Sequence, residues 1–331
     1  MANWGFLGAG SIAASSLGPA VHAADGAVLH AVAAGSRTRA EALRPAKTYP
    51  SYDDLLRDPD VDVVYIALHN SAHRPWVERA LRAGKHVLCE KPLGLTAAEV
   101  DAMVDTARDT GRLLVEAAWN RWHPRTRDLE ALIDSGAAGE VRSVISRFDG
   151  TAPAEGNYRL DPALGGGALY DVGYYAVAAA LAAFGWQTPQ VIRAEQDQWH
   201  PHSADSRSAF LLAFPGGGTA DVHCALDGAP GTPFTEELTI TGTKGTLRMP
   251  PPAFCAGAAP SRLTGDAPGT DRAYPAVDPY RLMVEAMNAA ADGTEPTPYL
   301  VPWEQSRLIA ATLDAVREAC RPHAARVPSL P

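Results

Sequence analysis

Five short, predominantly apolar runs, each followed by a helical stretch, occupy the first 120 residues and leave the chain little freedom of fold. They are Trp4 to Leu7, Val28 to Ala34, Val61 to Leu68, His86 to Glu90 and Leu113 to Ala118. A strand with one wet face alternates in polarity, whereas runs apolar on both sides belong to a parallel sheet covered by helices. Gly84 and Gly111 close two of the intervening helices. Thr96-Ala97-Ala98-Glu99 opens another with the spacing of a capping box. The first run leads into Gly8-Ala9-Gly10-Ser11-Ile12-Ala13, at the mouth of a small-residue helical stretch from Ser11 to Ala24. Gly8 permits a tight turn, Gly10 lets backbone approach a pyrophosphate, and Ala13 allows helix to pack on strand. Ser11 and Ile12 then lie at a helix N-terminus, where backbone N–H groups receive an anion. The pattern alone is a weak signal, because an ordinary strand-helix turn can carry it; in this strand-turn-helix context it points to a dinucleotide.

After Arg121 the pattern changes. A helix is expected over Pro124 to Ser135, a strand over Val141 to Phe148, and an Ala-rich helix from Ala168 to Phe184 closed by Gly185. Strands then follow in series, at Val191 to Trp199, Arg207 to Phe214, Thr219 to Leu226, Glu237 to Thr241 and Thr246 to Met249, as in an antiparallel sheet. Pro250 to Pro275, rich in Pro, Gly and Ala, reads as a surface loop before helices at Pro279 to Ala291 and Trp303 to Arg321. The expectation is an α/β chain: residues 1–120 form a doubly wound parallel sheet for a dinucleotide. Residues 121–331 form an α+β domain on an open, mainly antiparallel sheet that binds substrate and oligomerises, with its last helix free to pack back on the first domain.

A length of 331 residues suits two domains, and a net charge of −9 leaves no electrostatic footprint for nucleic acid or an anionic membrane. No apolar run approaches the length of a membrane span. Cys89, Cys224, Cys255 and Cys320 show no CxxC spacing, and the N-terminus has no basic-then-apolar segment, so a reducing cytoplasm is expected. His69 and His73, like His200 and His202, lack a partner Cys or carboxylate at ligand spacing, so no metal is expected.

Glu90-Lys91-Pro92 stands about eighty residues after the glycine fingerprint, in a chain with four lysines and twenty-five arginines. At the carboxyl end of a central strand, Lys91 sits where ligands of doubly wound sheets bind. A strand-end lysine is more often a solvated charge.

Three segments together resemble the glucose-fructose oxidoreductase, inositol dehydrogenase and MocA family, written Gfo/Idh/MocA. These are Trp4-Gly5 through Ala13, Ala83-Gly84-Lys85-His86-Val87-Leu88-Cys89-Glu90-Lys91-Pro92-Leu93, and Leu164-Gly165-Gly166-Gly167-Ala168-Leu169-Tyr170-Asp171-Val172-Gly173-Tyr174-Tyr175. Thr241 to Leu247 resembles a strand-turn-strand segment of the same family. The resemblance covers nearly the whole chain and implies a Rossmann domain with a nicotinamide cofactor, acting on a sugar, keto-sugar or cyclic polyol. It carries the acid/base position onto Tyr175, where other members have His, and a carboxylate onto Asp171; read as four residues apart on one helix, the two project from one face. Lys91 would meet the developing oxyanion. A tyrosine has a reference pKa near 10, and a neighbouring ammonium favours its phenolate. The alternative is that Tyr174 and Tyr175 are core aromatics.

Cofactor choice is read after the second strand, where Ser36 and Arg37 stand in place of the acid that NAD enzymes use for the ribose. NADP(H) is therefore favoured over NAD(H). The resemblance adds Leu68, Asn70 and His73 along the cofactor, and Glu90, Lys91 and Asn120 near the nicotinamide. Trp119, Arg121, Tyr158 and Arg159 face substrate, with Lys91, Asp171 and Tyr175. Other readings are a noncatalytic NADP-binding sensor and a nonredox elimination that uses bound nicotinamide. A homodimer or homotetramer is expected through the sheet's exposed face.

Overall fold

The computed structural model describes residues 1–254, 257, 259–294 and 299–321; Cys255 lies outside the described residues. Six parallel strands, β1 (Ala2–Leu7), β2 (Ala27–Ala33), β3 (Lys47–Tyr49), β4 (Val63–Ile66), β5 (His86–Cys89) and β6 (Leu114–Glu116), stand in the order β3-β2-β1-β4-β5-β6. Strand order reverses at β1, which pairs with both β2 and β4, so the crevice for a ligand opens beyond the ends of β1 and β4. The apolar runs are explained by burial on both sides. Trp4, Phe6, Tyr65 and Leu88 face a core shared with the C-terminal half of the chain. Leu7, Val64, Ile66 and Val87 face helices Tyr52–Leu56, His73–Arg82 and Ala97–Thr110.

Local chemistry follows the sequence closely in places. Thr96 accepts the Glu99 N–H at 3.2 Å, while the Glu99 carboxylate reaches the Leu95 N–H at 2.8 Å rather than that of Thr96. The helix after the glycine fingerprint begins as a wide π turn at Ala13–Leu17 before becoming α at Gly18–Ala23.

The second sheet has eight strands: β7 (Val141–Thr151), β8 (Gln190–Gln198), β9 (Asp205–Ala213), β10 (Thr219–Gly228), β11 (Thr235–Gly242), β12 (Gly245–Met249), β13 (Ser261–Gly265) and β14 (Arg272–Tyr274). Their order is β14-β13-β12-β11-β7-β10-β9-β8, antiparallel except for the central β7-β10 pair. One face packs on the buried helix Gly173–Ala183, with Val144, Ser146 and Phe148 of β7 pointing inward. Between them Arg147 and Ile145 point outward.

Three sequence expectations are corrected. β3 was not anticipated, and β13 and β14 occupy part of the segment read as a surface loop; all are strands of three to five residues, with too few positions to show a period. The Ala-rich helix is two helices, Ala168–Asp171 and Gly173–Ala183, interrupted at Val172. Asp171 and Tyr175 therefore stand on successive helices rather than one, yet both meet Lys91 Nζ in the same cleft. The interruption lets the second helix settle so closely on β10 that a Cβ at Gly173 would lie 2.9 Å from the Cys224 sulfur.

The last helix, Trp303–Ala319, returns to the first sheet. Trp303 Nε1 donates to the Leu114 carbonyl at 2.7 Å, and Ser306 donates to the buried Glu116 carboxylate at 2.6 Å. The other oxygen of Glu116 accepts the Leu93 N–H at 2.7 Å, just beyond Lys91. Helix Pro279–Ala291 makes a similar return through Asn288, which accepts from Trp4 Nε1 at 2.9 Å.

Candidate active site

A cleft of about 740 Å³ runs from Gly10, Ser11 and Ile12 at the fingerprint to Tyr158, Arg159, Asp171 and Tyr175 beneath the second sheet. The strand ends build one wall. Gly8, at φ +102°, makes the turn after β1, and a Cβ there would run into the Ala67 carbonyl oxygen. Gly10 is the reverse case: nothing lies within 4 Å of the position its Cβ would take. An open backbone at a helix entrance is the cradle a pyrophosphate needs, so these residues fit a dinucleotide. Leu68, His69 and Asn70 follow β4 into the cleft, and Glu90 and Lys91 follow β5. Asn70 also crosses it, donating to the Gly165 carbonyl at 2.7 Å.

Lys91 is held on the far side. Its Nζ donates to the Asp171 backbone carbonyl at 2.7 Å and to Asp171 Oδ1 at 2.9 Å, and stands 4.9 Å from the centroid of the Tyr175 ring. Arg159 grips the same carboxylate with two bonds, Nε to Oδ2 at 2.7 Å and NH2 to Oδ1 at 3.1 Å. Burial alone would push the Asp171 carboxyl up, but the Lys91 and Arg159 cations hold it well below the usual carboxylate range. Asp171 is thus an anion between two cations, and it orients both. Tyr175 is buried among Phe148, Phe254 and Tyr174, and its hydroxyl accepts from Trp119 Nε1 at 2.8 Å. Burial, reinforced by Asp171, pushes the Tyr158 phenol up to about 12, so it enters the cleft protonated.

The glycines before Ala168 make this arrangement possible. Gly167, at φ +117°, donates to the Arg159 carbonyl at 2.9 Å, which folds the Tyr158-Arg159 loop onto the start of the helix carrying Asp171. A side chain at Gly167 would strike the Asp205 carboxylate, which accepts the Leu169 N–H at 2.8 Å.

Glu90 lies behind Lys91. Tyr65 donates to its Oε1 at 2.7 Å and the Lys91 N–H reaches Oε2 at 3.3 Å. Burial raises its carboxyl, and the Lys91 charge opposes the rise.

Five sequence candidates stand differently. His73 is fully buried and does not line the cleft: Nδ1 lies 2.9 Å from the Pro92 carbonyl and Nε2 3.3 Å from that of Leu68, tying together the loops that carry Leu68 and Lys91. Burial lowers its pKa to about 4, leaving a neutral ring with one N–H, which the shorter contact assigns to Nδ1. Asn120 and Arg121 share the single 3₁₀ turn Trp119–Trp122, where successive side chains diverge by about a third of a turn. With Trp119 in the cleft, Asn120 and Arg121 point into the interior, Arg121 bonding Gln305 at 2.7 Å and Glu130 at 3.1 Å. Arg37 is exposed and pairs with Glu41 at 2.7 Å, while Ser36 caps its helix on the Arg39 N–H at 3.3 Å; of these two arginines it is Arg39 that lines the cleft.

Sequence reasoning missed Phe148, Leu226, Phe234 and Tyr280, which give the cleft an apolar wall, and Asn157. Phe148 carried one weak signal, an inward position at the end of an alternating strand. Among the described residues one group has the spacing of metal ligands, His30, Asp58 and Asp60, but Lys47 already supplies a cation there, 3.1 Å from Asp58 and 3.4 Å from Asp60. No helix among the described residues is long and apolar enough to cross a membrane.

Comparison with known proteins agrees with this geometry. Residues 2–118 match the oxidoreductase family with an NAD-binding Rossmann fold, and residues 126–248 match the GFO/IDH/MocA C-terminal domain. A D-xylose 1-dehydrogenase (NADP(+)) of Haloferax volcanii is 36% identical over 331 residues, covering 97% of this chain and 98% of that protein. The trans-1,2-dihydrobenzene-1,2-diol dehydrogenase of Mus musculus is 33% identical, covering 96% of each. Among solved structures, a 3-ketoreductase from Actinomadura kijaniata in complex with NADP and TDP-benzene superposes with a TM-score of 0.86 at 28% identity, covering 97% of this chain and 98% of that one. The chain therefore belongs to the Gfo/Idh/MocA family, as a nicotinamide-dependent oxidoreductase acting on CH–OH groups.

Proposed function

We propose that the protein is an NADP(H)-dependent dehydrogenase or ketoreductase of a sugar, keto-sugar or cyclic diol, with Tyr175 as acid/base, Lys91 as electrostatic partner and Asp171 orienting the lysine. One observation carries this reading: the Lys91 ammonium, fixed by Asp171, lies 4.9 Å from the Tyr175 ring in the same cleft as the open backbone of Gly10. Bound nicotinamide supplies or accepts the hydride. Tyr175 gives its phenolic proton to the carbonyl oxygen during reduction, or takes the hydroxyl proton during oxidation. Two of the three Lys91 N–H bonds are committed to Asp171, and the third supports the oxygen as it gains charge. Gly8, Gly10, Ser11, Ile12, Leu68, Asn70 and Glu90 line the cofactor path, with Arg37 and Arg39 at its ribose end favouring a 2′-phosphate. Trp119 and the apolar wall take the flat face of a ring, and Tyr158, Arg159 and Asn157 take its hydroxyls. The outer face of the second sheet, where Ile145 is 47% exposed, is the surface for a homodimer or homotetramer.

The test is oxidation of D-xylose, D-glucose and trans-1,2-dihydrobenzene-1,2-diol with NADP⁺, followed by nicotinamide absorbance. At least one should be turned over, and Tyr175→Phe should lower kcat by about 10²- to 10⁴-fold with unchanged cofactor affinity. Full turnover by Tyr175→Phe alongside loss in Lys91→Met would make the lysine the proton carrier and refute these roles.

A further inference from the structure

We propose that the cleft holds a second, apolar subsite at Phe234, which takes an aromatic substituent of the substrate, so that the substrate is an uncharged hydroxylated ring bearing an apolar group rather than a phosphorylated or nucleotide-linked sugar. This deepens the proposed function and rests on its placing of the reacting carbon beside Tyr175.

Phe234 lines the cleft and is 54% exposed. A lone apolar side chain at a surface is ordinary, but one continuous with the apolar lining of a groove marks a contact surface. That continuity runs through Phe148, which is buried and whose ring centroid lies 5.6 Å from that of Tyr175 and 5.7 Å from that of Phe234. Apolar surface therefore extends outward from the reacting carbon, one ring at a time. Gly150 on β7 lets it close: a Cβ there would lie 2.9 Å from Leu226 Cδ2 and 3.7 Å from the Phe234 ring. The loop before Phe234 carries Pro230 and Pro233, and the Thr232 N–H donates to the Ala229 carbonyl at 3.0 Å. Two fixed φ angles and a closed turn hold the exposed ring in place before a ligand arrives, which lowers the ordering cost of binding.

The charges of the cleft select against an anion. Among the described residues its lining lysines and arginines are Arg39, Lys91 and Arg159. Arg39 stands on the helix Arg37–Ala42 after β2, in the half given to the cofactor. Lys91 and Arg159 share Asp171, and the Nε and NH2 edge of Arg159, the fork that would grip a phosphate, is spent on that carboxylate at 2.7 and 3.1 Å. A phosphate beside Phe234 would thus lose its hydration and gain no fork in return, whereas an aromatic ring would gain an offset or edge-to-face partner.

The test is calorimetric binding to the protein saturated with NADPH, which cannot oxidise an alcohol and so holds the probes unreacted. Phenyl β-D-glucoside should bind about tenfold more tightly than methyl β-D-glucoside, and D-glucose 6-phosphate no more tightly than D-glucose. Phe234→Ala should bring the phenyl-to-methyl ratio down to about threefold or less, and Phe234→Trp should restore it. NADPH affinity within twofold of the parent shows that the variants keep the cleft. Equal affinity for the two glucosides in the parent, no binding by the phenyl glucoside, a ratio unmoved in Phe234→Ala, or tenfold tighter binding of the 6-phosphate overturns the proposal; the parent measurements decide it even if the variants do not fold. Turnover separates this inference from the reading beneath it. If D-xylose, D-glucose and the diol are all left unoxidised, the proposed function falls; if any is oxidised while the parent makes no distinction between phenyl and methyl, only the subsite falls.

Discussion

Removing the charge of Asp171 should cost more stability than removing Lys91, and deleting both should cost less than deleting Asp171 alone. Asp171 neutralises two half-buried cations at once, with Lys91 Nζ at 2.9 Å and the Arg159 guanidinium at 2.7 and 3.1 Å. Lys91→Met leaves the carboxylate its two bonds from Arg159, so the loss should be about 1 kcal/mol. Asp171→Asn leaves Lys91 and Arg159 facing each other across an amide. Two unit charges about 5 Å apart at an effective dielectric of about 20 repel by roughly 3 kcal/mol. At about 2 cal/mol/K of unfolding entropy per residue, a chain of 331 residues loses about 1.5 °C of melting temperature per kcal/mol. Calorimetry at pH 7 should therefore show a fall of about 4 °C for Asp171→Asn and 1 to 2 °C for Lys91→Met. Lys91→Met/Asp171→Asn should lie between them, because the added change removes one of the facing cations. Turnover should be lost in all three, so stability and activity separate. The pH dependence has a definite sign. A carboxyl held below its unfolded value of about 3.9 contributes stability that is fully present above that value and is lost as pH falls through the folded one. The gap between parent and Asp171→Asn should thus stay constant from pH 7 to pH 5 and narrow only in stronger acid. A double variant less stable than Asp171→Asn, or a gap that closes between pH 7 and pH 5, would refute the reasoning.

NADPH should bind at least about tenfold more tightly than NADH, or roughly 1.4 kcal/mol, and Arg37→Ala/Arg39→Ala should remove most of the difference; equal dissociation constants in the parent protein exclude this. Gly167→Ala should cost about 1–3 kcal/mol and abolish turnover, because the new methyl meets Asp205 at a φ of +117° and displaces the loop bearing Arg159; a stable, active variant would show that loop to be unimportant. Light scattering at micromolar concentration should give two or four times the mass of one chain, and Ile145→Asp on the outer sheet face should reduce it; a parent protein with the mass of a single chain contradicts the expectation.

Five strands of the first sheet were legible because they are apolar on both sides, and the place of Lys91, Asp171 and Tyr175 in one cleft could be anticipated because they stand in dense local motifs. What the sequence hid was tertiary. The interruption at Val172 depends on how closely Gly173 meets Cys224 on β10, and nothing near residue 172 announces that approach. Asn120 and Arg121 were expected in the cleft from the family resemblance at this crossover, but a 3₁₀ turn sends neighbours in different directions, and no sequence period records which one faces the ligand. His73 has the residue type of a ligand contact and is used to join two loops. Phe234 and Tyr280 reach the cleft from distant parts of the chain with no motif around them.

The shared core on the Trp4 face of the first sheet has a consequence for how such proteins can be taken apart. Cutting the chain near residue 120 would not release a cofactor-binding module. It would strip Trp4, Phe6, Tyr65 and Leu88 of the apolar partners that the later chain supplies, and remove Asn288, Trp303 and Ser306 from their bonds to Trp4, Leu114 and Glu116. What sequence comparison treats as two transplantable units share one continuous core. Chimaeras that exchange the substrate half among relatives should keep the returning helices Pro279–Ala291 and Trp303–Ala319 with the first sheet, so the crossover points that preserve folding are not the ones that divide the functions.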